Sequence, residues 1–67
     1  MLVLTTIYKR KNEAKPKKIQ EFFNSEREAR ETFNQTVRYY VSCHNGYEYV
    51  SVSLPLNGGV ALSFEVA

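Results

Sequence analysis

Apolar and polar positions follow two different rhythms along this chain, and the switch between them marks its elements. Leu2 to Tyr8 is aliphatic and β-branched, the composition of a strand. Leu2, Leu4, Thr6 and Tyr8 share one face and Val3, Thr5 and Ile7 the other, so apolar groups stand on both sides. That suits a strand in mid-sheet, or one covered by a helix on one side and by a second subunit on the other.

From Lys9 to Lys18 no apolar residue exceeds alanine or proline in size, which predicts a solvated loop. Over Lys17 to Phe23, Ile19, Phe22 and Phe23 fit either a short strand or the start of a helix opening at Pro16. The strand is preferred because Ser25 and Glu28 form a capping-box signal just beyond it. A helix starting at Ser25 cannot also be the middle of one starting at Pro16.

After Glu26 the apolar positions Ala29, Phe33, Val37, Tyr40 and Val41 keep to one helical face, with Arg27, Arg30, Glu31, Asn34 and Arg38 opposite. Glu26 with Arg30 and Arg27 with Glu31 stand four apart, the spacing that supports an exposed helix. Asn45-Gly46 is expected to end it in a left-handed cap.

The period then drops to two. Val50, Val52 and Leu54 alternate with Tyr47, Tyr49, Ser51 and Ser53, and Val60, Leu62, Phe64 and Val66 with Ala61, Ser63 and Glu65. Pro55 to Gly59 is rich in turn formers and joins the two segments as a hairpin. The order is ββαββ: an α+β, two-layer domain over residues 1–67, with a four-stranded, mostly antiparallel sheet and one helix packed on one face.

Composition limits what such a chain can do. In 67 residues burial and ordering entropy nearly cancel, so a staple or a partner is expected. One cysteine excludes a disulfide framework. Adjacent Cys43 and His44, each the single residue of its kind, make a poor zinc site, and the chain has no aspartate. No cofactor is expected. A homodimer or another protein is the remaining aid. No segment approaches the roughly 20 apolar residues of a membrane helix. The basic residues follow the apolar opening Met1 to Leu4 instead of preceding it, unlike a secretory signal. A cytoplasmic location is the expectation.

Catalytic chemistry finds little footing. Near a helix end Cys43 and His44 point about 100° apart, a poor thiolate-imidazolium geometry. The glutamates at positions 26, 28 and 31 are accounted for by the helix start. A non-enzymatic role is expected.

Charge and tyrosine carry more information. Lys9, Arg10, Lys11, Lys15, Lys17 and Lys18 surround one acid, Glu13, whereas the rest of the chain holds three basic and six acidic residues. Such a basic loop suits phosphate or an acidic partner, and equally it keeps a small protein dissolved and blunts a sheet edge. Five tyrosines are many for this length. Tyr47 and Tyr49 are expected on the outer strand face with Ser51, and Tyr39 near the helix end, as a protein-binding surface. In size and layout the chain resembles the small accessory proteins that bacteriophages and mobile elements make to inhibit host machinery, anti-CRISPR proteins among them. The resemblance implies action by occluding a partner's surface. The alternative is direct nucleic-acid binding, with the basic loop on phosphates and Tyr8, Tyr47 or Tyr49 stacking on bases.

Overall fold

The computed structural model describes residues 1–66. Its elements are β1 (Leu2–Arg10), β2 (Lys17–Phe23), α1 (Glu26–Cys43), β3 (Tyr47–Pro55) and β4 (Ala61–Val66), with a short 3-10 turn at His44–Gly46 and a tight turn at Asn57–Gly59 that Gly58 takes out of helical geometry. All strand pairs are antiparallel, in the order β2-β1-β3-β4. The ββαββ, α+β two-layer arrangement expected from the sequence is present, with residues 17–23 as a strand.

The helix begins where the capping signal places it. Ser25 Oγ accepts from the Glu28 amide at 3.4 Å, and the Arg30–Glu26 and Arg27–Glu31 pairs close at 3.0 and 3.2 Å. The reciprocal bond from the Glu28 carboxylate is not formed among the described residues. The helix end differs from expectation: His44 is right-handed and the chain tightens into the 3-10 turn, while among the described residues only Gly58 and Gly59 have positive φ. There the Tyr47 amide donates to the His44 carbonyl, an i to i+3 bond in place of a left-handed glycine.

Ala29, Phe33 and Tyr40 of α1 pack on Leu2 and Leu4 of β1 and on Val50, Val52 and Leu54 of β3. Leu56, in the β3–β4 loop, tucks into the same core. That loop closes when the Leu56 amide donates to the Val60 carbonyl at 2.7 Å, with Gly58 and Gly59 at φ 85° and 81° supplying the reversal. Val41 and Val60, both assigned to buried faces from their spacing, are exposed. Val60 ends the loop, before the pleat of β4 begins, and Val41 lies beyond the stripe that the sheet covers.

The extents are 37 × 21 × 17 Å. A helix stacks about 10 Å above a sheet, so the shortest dimension has room for two layers and no third. The side of the sheet away from α1 is therefore uncovered by this chain.

Candidate functional site

Strand register decides which side chains share the open face. Directly opposed residues of antiparallel strands point the same way. Val3 pairs with Phe22, Thr5 with Gln20 and Ser53, Ile7 with Lys18 and Ser51, and Lys9 with Tyr49. Beyond β3, Ser51 pairs with Glu65 and Ser53 with Ser63. The open face is thus a band of hydroxyls around Thr5, Ser51, Ser53 and Ser63, bordered by Val3 and Phe22 at one end and by Ile7 and Tyr49 at the other. Phe22 is 62% exposed, whereas Val3, Ile7, Tyr49 and Ser51 are half-buried by their neighbours alone. Lys9 is ion-paired with Glu48, and Lys18 and Glu65, also on this face, balance each other in sign, so the face is near neutrality.

Tyr49 and Ser51 stand where the alternation put them, but Tyr47 does not. Lys9 pairs with Tyr49 and Arg10 with Tyr47, so Glu48 has no partner and β3 carries a bulge. One extra residue reverses the side on which everything before it projects. Tyr47 consequently turns toward the helix, meeting Tyr8 edge-on at 5.6 Å and Tyr40 edge-on at 5.4 Å between ring centroids. Tyr39, 58% exposed, packs edge-on against Tyr40 at 5.0 Å. Four of the five tyrosines therefore form one cluster under and beside the helix end, and Tyr49 is left alone on the far face. Alternation carries no sign of an unpaired residue, and by alternation alone Tyr47 falls on the outer face.

The cluster has an electrostatic signature. Burial, and after it the neighbouring Tyr47 and Tyr8 phenols, push the Tyr40 hydroxyl up to about 12. Tyr39 is raised as well, first by the Cys43 thiol and then by Tyr47. Cys43, half-buried against the core, takes part in this contact as a small filler at the helix end. Arg10 lies over the Tyr47 ring at 5.6 Å, and its guanidinium is held more firmly protonated, chiefly by Tyr47. Arg10 is thus part of the aromatic cluster as well as of the basic segment.

The basic segment is more ordered than a loop. Lys9 and Arg10 belong to β1 and Lys17 and Lys18 to β2, leaving only residues 11–16 as connection. The Lys11 amide donates to the Gly46 carbonyl at 3.2 Å, clipping the hairpin tip to the helix end. Glu13 receives Lys17 at 3.0 Å, and that hydrogen bond, the largest influence, holds its carboxyl below the usual range. The six basic residues are also divided between faces. Lys9 and Lys18 belong to the far face, Arg10 and Lys17 to the helix side, and Lys11 and Lys15 to the tip. Arg10, Lys11, Tyr39, Cys43 and Tyr47 line an open groove of about 440 Å³ between tip and helix end.

No protein-family model, no curated protein and no solved structure matches this chain. Among the described residues no helix is long and apolar enough to cross a membrane.

Proposed function

We propose that this chain is a non-enzymatic protein-binding module that acts by covering part of a larger protein with the open face of its sheet. The observation that carries the reading is the uncovered side of β1 and β3. There Ile7, Val3, Phe22 and Tyr49 frame neutral hydroxyls, the charges of Lys9 and Glu48 cancel, and those of Lys18 and Glu65 balance in sign. Aromatic and aliphatic groups with few unpaired charges are the composition of a protein contact, whereas nucleic acid requires a basic one. An inhibitor of host machinery, of the layout that phage accessory proteins and anti-CRISPR proteins have, is the role such a surface suits. The cytoplasm is the compartment where it would meet such a target.

Affinity capture from a host lysate with matched variants tests the proposal. One dominant protein is expected with the native chain and with Arg27→Ala, on the outer face of the helix. Tyr49→Ala and Phe22→Ser should lose it. Absence of any specific protein, or equal loss with Arg27→Ala, would count against the open face.

A second reading has an observation of its own, the groove where Arg10 and Lys11 stand beside the exposed ring of Tyr39. Cations next to a free aromatic face can hold a phosphate and stack a base. Under this reading, gel-shift with short single-stranded DNA or RNA shows binding that falls steeply with added salt and is lost in Tyr39→Ala. Absence of a shift at low salt removes it.

A further inference from the structure

We propose that a second copy of this chain adds to the free edge of β2, in an antiparallel register centred on Ile19, to give a continuous eight-stranded sheet. β2 ends the sheet order, so its outer backbone groups have no strand partner. It is also the least covered strand: every residue from Lys17 to Phe22 is exposed, with Ile19 at 44% and Phe22 at 62%. The helix covers β1 and β3 and leaves an open trough beside β2, lined by Ile19, Glu21, Gln35, Thr36 and Tyr39. An edge this open is stable only if it is protected by charge or taken up by another strand.

The side chains of β2 choose between those outcomes. A two-fold axis perpendicular to the sheet keeps both helices on one side, so only residues of the same face oppose each other, and the register moves in whole steps centred on one residue. Centred on Lys18, two Lys18 ammonium groups meet. Centred on Glu21, two carboxylates meet. Centred on Gln20, Glu21 faces Ile19 and Lys18 faces Phe22, with no charge compensated. Centred on Ile19, the two isoleucines pair with each other and Lys17 faces the partner's Glu21 on both sides. On the opposite face Lys18 then meets the partner's Gln20, and Phe22 meets the partner's Pro16. The helix-side sequence Lys17, Ile19, Glu21 is thus complementary to itself when reversed, and the like-charge registers are disfavoured by the same residues. Lys17 already holds Glu13 at 3.0 Å, so in the dimer its ammonium lies between two carboxylates.

β4 offers no equivalent. Its helix-side residues Leu62, Phe64 and Val66 carry no charge, and Glu65 on the open face has no cation in its own strand to face in a reversed copy.

This inference goes beyond the partner-binding proposal and does not depend on it, because association is measured with the chain alone. Sedimentation over a concentration series up to submillimolar protein is expected to show a reversible dimer. Lys17→Glu or Glu21→Lys turns both cross-strand attractions into repulsions and should weaken association by about tenfold or more. Mixing the two single variants places opposite charges across the axis again and should restore a dimer of one copy of each. The double variant Lys17→Glu/Glu21→Lys should dimerise with itself. Circular dichroism reports whether each variant is folded. A monomeric native chain over the whole series would overturn the proposal. So would a dimer indifferent to both single variants, or a weakened pair that neither mixing nor the double exchange restores.

Discussion

Replacing Tyr47 and Tyr49 by alanine, one at a time, separates the bulged strand from a strand of unbroken alternation. Tyr47 makes two edge-on contacts, at 5.6 and 5.4 Å, each worth about 0.5–1.5 kcal/mol beyond its buried area. Arg10 at 5.6 Å over the ring adds about 0.5–1 kcal/mol at an exposed site. With the partial burial of the ring itself, Tyr47→Ala should cost about 3 kcal/mol. Tyr49 has no aromatic neighbour among the described residues and stands on an uncovered face, so its loss should cost about 1 kcal/mol. A chain of 67 residues has a total stability of only about 3–10 kcal/mol, so the first variant is close to unfolding and the second is not. In equilibrium urea unfolding, with a slope near 1 kcal/mol per molar, the Tyr47→Ala midpoint should fall by roughly 2–3 M. Tyr47→Phe keeps both ring contacts and should stay within about 1 kcal/mol of the native chain. Equal or greater loss in Tyr49→Ala would refute the reversal of Tyr47 and restore it to the outer face.

Two further outcomes follow from the same packing. The Tyr40 hydroxyl titrates at about 12 in the folded chain, against about 10 when unfolded. The folded state therefore holds the proton longer, and the stability this gives is complete below pH 10 and lost as pH rises toward 12. Urea midpoints of the native chain and Tyr40→Phe should diverge over that interval, and parallel curves would contradict it. Gly58→Ala should cost about 1 kcal/mol because φ is 85° there, while Gly46→Ala should be nearly neutral because its backbone is not left-handed and nothing lies within 4 Å of an added Cβ. The reverse ranking would mean that Asn45-Gly46 caps the helix after all.

Local chemistry accounts for what could be read in advance. The start of α1 follows from Ser25 and Glu28, its two surface ion pairs from spacing of four, and the faces of β1 and the middle of β3 from a period of two, because each depends on neighbours within a turn or a pleat. The features that escaped depend on partners far away in the chain. Nothing near Glu48 indicates that Lys9 and Arg10 will leave it unpaired, so the reversal of Tyr47 and the gathering of Tyr8, Tyr39 and Tyr40 around it were invisible. Lys9 and Arg10 read as loop because no apolar residue larger than alanine or proline lies between Lys9 and Lys18. Pairing of Lys9 with Tyr49 and of Arg10 with Tyr47 nevertheless carries β1 on to Arg10. Leu56 is buried although it lies between turn formers, since its neighbours in the core come from other elements. The open face was partly legible, in that Val3 and Ile7 made both sides of β1 apolar, but the contribution of Phe22 required the register with β2.

Relaxation of methyl resonances by a soluble paramagnetic agent tests most directly whether one side of this sheet is roofed and the other is free. Val3 and Ile7 should relax strongly, while Val52 and Leu54, both fully buried, should be nearly silent. Comparable relaxation of Ile7 and Val52, or silence at both Val3 and Ile7 in the dilute chain, would contradict the account.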